Sequence, residues 1–310
     1  MSAFLTMQSR AVILDGHDSC WHRVYLRAKD LFVESKTHST IGCIQYTCTS
    51  AEQSVSKSSV VPRSRGFSVE SVDDITGLDQ LLRTDDQVAT QTPQQTTQLF
   101  FISQTTSWSR LRILADMFNR LVQYCNAFDE FSAYLLQFGK RIRDAPEIGL
   151  TSHLRLHTAK TSVIDYEICY NIKHFEKHDR ELQDPWSCRH AAFYQRFSSV
   201  QHSSTWIIVQ GPSKIQSFLE RSISTEATSS FNHYEHPLYL HVQFMVILER
   251  NWTAYLATLE QRRCKTADKI LFLYSVTSSV GLDDIHDIHN VQARLRTAIA
   301  ILEGIVSLIN

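Results

Sequence analysis

Glycine is scarce in this chain, with 9 in 310 residues. Backbone that must approach a cofactor closely needs glycine, and no glycine-rich phosphate loop, GxGxxG turn, GxSxG elbow or HExxH segment occurs. These absences argue against the dinucleotide-binding, P-loop, serine-hydrolase and zincin classes. The 7 cysteines are odd in number, and Cys20, Cys43, Cys48, Cys125, Cys169, Cys188 and Cys264 form no CxxC pair, which fits reduced thiols better than a disulfide framework or a zinc ribbon. A basic surplus is missing as well: Lys and Arg number 31 against 32 Asp and Glu, for a formal net charge of -1. The nearest basic run, Lys140 to Arg143, is short, so the footprint of a nucleic-acid binder is absent. No apolar run reaches the roughly 20 residues that cross a bilayer as a helix. The longest candidates are Leu238 to Leu248, interrupted by His241 and Gln243, and Ala298 to Ile309, interrupted by Glu303 and Ser307. The start, MSAFLTMQSRAVILDGHDSC, lacks a basic segment followed by a long apolar one, so no secretory signal is expected. No internal repeat is visible.

What the chain does have is a hydrophobic content of 43%, enough for a sizeable core. From Tyr166 to Gln210 three aromatic-rich runs are separated by polar turn segments, the pattern of consecutive strands. In the first, Tyr166, Ile168, Tyr170 and Ile172 alternate with Glu167, Cys169, Asn171 and Lys173, which predicts one buried and one mostly polar face. A second run carries Trp186, Cys188, Ala192, Tyr194 and Phe197, and Thr205 to Val209 forms a short third.

Helical spacing covers most of the rest. Trp21, Val24, Tyr25 and Ala28 suit an amphipathic helix. The serine-rich stretch from Ser50 to Ser68 reads as a solvated loop. Asp73 and Asp74 precede a capped helix with Leu78, Leu81 and Leu82. A polar tract from Gln87 to Gln98 leads to a short strand at Leu99 to Ile102. A helix is expected from about Arg110, with Leu111, Leu114, Met117, Phe118, Leu121, Val122 and Cys125 on one stripe, and a second from Asp129 to Phe138, ended by Gly139. Pro212 and Pro237 each suit the opening of a helix; the second runs to about Arg263, and the stretch from Cys264 to Gly281 reads equally as helix or strand. The last helix begins near Asp283 and repeats apolar residues at threes and fours, close to a heptad seam. The fold class expected is mixed α/β with long C-terminal helices.

The polar clusters have two readings each. Asp283, Asp284, His286, Asp287 and His289 crowd into GLDDIHDIHN and are metal ligands by type; the same acids also suit the positive end of a helix macrodipole. His174, His178 and His190 lie near Cys169 and Cys188, and Cys188 with His190 has the residue types of a nucleophile and base. Neither ligand spacing nor an oxyanion donor ties them together, and no enzyme is expected. His233, Glu235 and His236 precede a proline and suit a loop.

The phrases YEICYNIKHFEKHDRELQDPWSCRHAAFYQRF, STWIIVQ, HPLYLHVQFMVILERNWTAYLATLE and FFISQTTSWSRLRILADMFNRLVQYCNAFDEFSAYLLQFG resemble the CorA-like transporter domain of many fungal proteins. The resemblance runs from about Phe67 to the end. It implies an α-β-α sandwich-like cytosolic domain over 67–310, preceded by an N-terminal segment over 1–66, with a final helix that continues elsewhere as a stalk into transmembrane helices. The Gly-Met-Asn pore signature of that family has no counterpart, because the only methionines are Met1, Met7, Met117 and Met245. The resemblance thus implies a regulatory or assembly role in magnesium or other divalent-cation transport, possession of no pore, Mg2+ as the ion concerned, and homo-oligomers through the C-terminal helix. The expected location is cytoplasmic, on the cytoplasmic side of a membrane if the protein continues beyond Asn310. The alternative is a soluble interaction module that binds partners through the same helix; deletion of Val291 to Asn310 is then expected to leave the domain folded.

Overall fold

The computed structural model describes residues 20–49, 65–88, 94–140, 151–158, 164–178, 184–200, 203–226, 236–272 and 281–309. Most of the serine-rich stretch, and His233 and Glu235, lie outside these. The order is α1 (Cys20–Leu26), α2 (Ala28–Leu31), β1 (Phe32–Val33), a 3-10 turn (Lys36–His38), β2 (Ile41–Thr49), β3 (Arg65–Val72), α3 (Ile75–Val88), β4 (Gln94–Ile102), β5 (Leu111–Leu114), α4 (Ala115–Cys125), α5 (Glu130–Leu135), β6 (Ser152–Thr158), β7 (Ile164–Lys177), β8 (Trp186–Ser198), β9 (Ser203–Val209), α6 (Ile215–Glu226), α7 (Tyr239–Phe272) and α8 (Leu282–Ile309). A seven-stranded sheet runs β3-β2-β4-β9-β8-β7-β6, and β1 pairs with β5 separately. The architecture is mixed α/β with a large sheet and long C-terminal helices, as expected.

The described residues fall into two compact units, one holding those within 1–148, 152–171 and 190–240, the other those within 149–151, 172–189 and 241–310. In the larger unit the apolar positions of β2, β4, β8 and β9 meet those of α1, α3, α4 and α5 in one cluster, with Leu31, Phe100, Phe118, Leu121, Phe131 and Tyr194 wholly enclosed. Burying each such side chain contributes about 1.5–3 kcal/mol. α4 ends where Asn126 takes a left-handed conformation at φ 49, which asparagine tolerates better than most residues, and its N–H and that of Ala127 satisfy the carbonyls of Gln123 and Val122.

Three local expectations are corrected. Leu111 to Leu114 is a strand, paired in parallel with Phe32 and Val33, and the helix starts only at Ala115; about one turn of apparent helical stripe was satisfied instead by a second, short sheet. β4 reaches back into the polar tract to Gln94, because Gln94 to Gln98 are paired with β2 on one side and Thr96 to Gln98 with Ser203 to Thr205 of β9 on the other. The polar face of β7 is not solvated: Glu167, Asn171 and Lys173 are all buried, and His174 is buried on the opposite, apolar face. Sequence alternation reports which residues differ in polarity, and here both faces are covered, so the polar one had to find partners inside. The undecided stretch after Cys264 is helical through Phe272.

Candidate functional site

The smaller unit is built around aromatic packing between strand ends and α7. Tyr255 stacks on Phe175 at 3.7 Å and 9°, and Trp252 meets Phe175 edge-on at 5.1 Å. Trp186 meets Tyr255 edge-on at 5.5 Å and donates from Nε1 to Thr258 Oγ1 at 3.1 Å. Aromatic pairs in these geometries add about 0.5–1.5 kcal/mol to the area they bury. α8 lays Val291, Ala298 and Ile301 inward, and Ala298 and Ile301, with Leu295, Leu302 and Ile305 partly buried beside them, pack against this cluster. Polar ties hold the helices in register. Asp184 pairs with Arg294 of α8 and, at 3.6 Å, with Arg262 of α7, and Lys269 near the end of α7 reaches Asp284 at the start of α8 at 2.6 Å.

That packing uses one side of α8. Ile285, Ile288, Ile299 and Val306 are exposed on another, and Ile285, Ile299 and Val306 keep a seven-residue register in which Gln292 supplies the missing step. A helix with two adjacent apolar stripes, one packed and one open, is a surface with room for another helix.

The five sequence-predicted metal candidates all fall in the first turns of α8. Asp284 is committed: its Oδ1 takes Lys269, its Oδ2 accepts from the Gly281 N–H at 3.2 Å, and both contacts hold its carboxyl below the usual range, the Lys269 bond first. Asp283, His286, Asp287 and His289 are exposed. Among the described residues no group of three or more His, Cys, Asp or Glu side chains is arranged to hold a metal ion.

The histidine and cysteine residues of the sheet are dispersed in role. His174 is fully buried with neither ring nitrogen hydrogen-bonded, beside the pair Glu176 and Arg189 at 2.9 Å. His190 Nδ1 lies 3.2 Å from Gln137 Oε1, which also accepts from Asn171 Nδ2 at 3.1 Å. Burial raises the Cys169 thiol to about 12, far from a reactive thiolate, while Cys188 is exposed.

Sequence reasoning missed the buried carboxylate of Glu167. Its Oε1 accepts from the Tyr194 hydroxyl at 2.7 Å, its Oε2 lies 2.8 Å from His157 Nε2, and Arg155 Nη1 stands 3.9 Å away. Arg155 also covers the Phe128 ring at 4.8 Å. Burial and the Glu167 carboxylate together push the Tyr194 phenol far up, so the hydroxyl stays a donor. The only sequence signal was a glutamate in the middle of an aromatic strand.

No helix among the described residues is long and apolar enough to cross a membrane. No curated protein matches the chain. Among solved structures, it is similar to the soluble domain of CorA from Methanocaldococcus jannaschii, at 12% identity and a TM-score of 0.34, over 86% of this chain and 94% of that one. The model of the CorA-like transporters matches residues 22–271, most of the length from α1 to the last turn of α7, and the chain belongs to that family.

Proposed function

We propose that this chain is a regulatory or assembly domain for divalent-cation transport, working on the cytoplasmic side of a membrane and associating with further copies of itself through α8. The observation that carries the reading is the second apolar stripe of α8, Ile285, Ile288, Ile299 and Val306, left open while the first is packed. α8 lies beyond the stretch that the family match covers, so the assembly role rests on this stripe and the transport context on membership of the family. A magnesium ion at the acidic start of α8 requires carboxylates from a neighbouring copy, with Asp283 and Asp287 the exposed candidates and His286 and His289 alongside.

The test is light scattering on the purified chain across about two decades of concentration, since assembly follows mass action. The expected result is a concentration-dependent oligomer that Ile299→Asp with Val306→Asp dissociates without lowering the melting temperature of the monomer. A monomer at every concentration overturns the assembly role. For the ion, melting in millimolar magnesium against EDTA is expected to show a higher melting temperature with the metal, because a ligand that binds only the folded state stabilises it; coincident curves overturn the sensing role.

A further inference from the structure

A cleft of about 580 Å³ opens beside the loop that follows β4, lined by Arg110, Arg112 and Lys140 with Trp108, Ser109 and His38 among its walls. Its volume is in the range of small-molecule sites. The charge is one-sided. Arg110 Nη2 pairs with Glu34 at 2.9 Å, but Arg112 and Lys140 have no carboxylate partner among the described residues; Arg112 Nη2 only donates to Thr40 Oγ1 at 3.3 Å. Arg110 lines the cleft as well, with its Nε enclosed and without a hydrogen-bond partner. Trp108 is 49% exposed, whereas Trp186, Trp206 and Trp252 are buried. An indole left open at the wall of a cationic cleft has a free π-face for a planar ring.

The cleft is also rigidly built. Gln104 is buried, its N–H donates to Gln210 Oε1 at 2.5 Å, and its own Nε2 donates to the Ser109 carbonyl at 2.5 Å. Ser109 closes a turn on Thr106 through its N–H and its Oγ. The Arg112 N–H is held by the Ser103 carbonyl at 2.8 Å. On the opposite wall the Lys140 N–H donates to the Asp30 carbonyl at 2.7 Å, behind Gly139 at φ 94, where a Cβ would come within 2.7 Å of that same carbonyl. Side chains on fixed backbone lose less entropy on binding than side chains on free loops. The cleft sits beyond the carboxyl end of β4.

We infer that this cleft binds a nucleoside phosphate, with Arg112, Lys140 and Arg110 on the phosphates and Trp108 stacked on the base. The inference is independent of the assembly reading, since none of its residues lies on α8.

The test titrates the full-length chain with ATP, without added metal, by calorimetry and by tryptophan fluorescence, and repeats it with inorganic tripolyphosphate. Saturable ATP binding with fluorescence quenching is expected, weaker binding of tripolyphosphate, and loss of the quench in Trp108→Leu. Lys140→Gln and Arg112→Gln are each expected to weaken ATP by about tenfold or more, the usual worth of a charge-assisted bond, with the affinity falling as salt rises. All three side chains are at least partly exposed, and unchanged melting temperatures verify that the variants fold. No saturable ATP binding, equal binding of tripolyphosphate, or a quench that survives Trp108→Leu each overturns the proposal.

Discussion

His174 sits in the sheet with no exposed surface and no hydrogen bond to either ring nitrogen. Burial lowers its pKa to about 4 from 6.5, with Glu176 pulling it up and Arg189 pushing it down. Between those values the unfolded chain takes up a proton that the folded chain refuses. The contribution is therefore complete above pH 6.5 and is lost as pH falls toward 4, on the order of 3 kcal/mol. Urea unfolding at pH 7.5, 6 and 5 is expected to show this loss, and His174→Phe to flatten it; an identical slope in the variant would contradict the assignment. Glu167 belongs to the same scale. Glu167→Ala removes the nearer acceptor of the Tyr194 hydroxyl, which keeps only the Cys125 carbonyl at 3.3 Å, and the partner of His157, and is expected to cost about 1–3 kcal/mol in urea unfolding, whereas Glu167→Gln keeps an oxygen for Tyr194 and is expected to cost less. Neither histidine nor glutamate could be assigned from sequence, because the alternation of β7 marks which residues are polar and says nothing of what covers them.

At the scale of the element, α8 carries two neighbouring positions with opposite fates. Ile301 is 5% exposed against the Trp252 and Tyr255 cluster and Ile299 is 55% exposed. Ile301→Ala is expected to destabilise by about 2–4 kcal/mol through lost burial and a cavity, and Ile299→Ala to lie within about 0.5 kcal/mol when measured on the monomer. Equal costs would mean that both sides of the helix are packed. The expectation that deleting Val291 to Asn310 leaves the domain folded meets the packing of Ala298 and Ile301 in the cluster with Trp252 and Tyr255; point substitutions on the open stripe test association without removing those contacts. The heptad repeat was legible in the sequence, but a repeat of threes and fours reads as one seam. Only packing reveals that Val291, Ala298 and Ile305 turn one way and Ile285, Ile299 and Val306 another, about 100° of rotation apart.

For the whole molecule, 31 basic and 32 acidic residues leave almost no net charge at neutral pH. Colloidal repulsion is weakest there, so solubility at low salt is expected to be lower at pH 7 than at pH 8.5, measured as the concentration remaining after centrifugation. A minimum elsewhere would point to association driven by the apolar stripe of α8 rather than by neutrality.

What the sequence by itself determined is the set of elements whose signal is local. The three strands after Ile164, the Asp74 cap on the helix that follows and the long helices after Pro237 and Gly281 all follow from spacing, turn residues and caps, and the aromatic-rich phrases carried the family; the stop expected at Gly139 falls instead at Leu135, where α5 ends. What only the tertiary structure decided depends on residues far apart in the chain. Leu111 to Leu114 became a strand because Phe32 and Val33 lie beside it, and Gln94 to Gln98 because β2 and β9 flank them. The cationic cleft gathers His38, Arg110, Arg112 and Lys140 from three separate segments. Spacing reports neighbours within a turn or two, whereas burial, pairing and the pooling of charge are set by whatever the fold brings alongside.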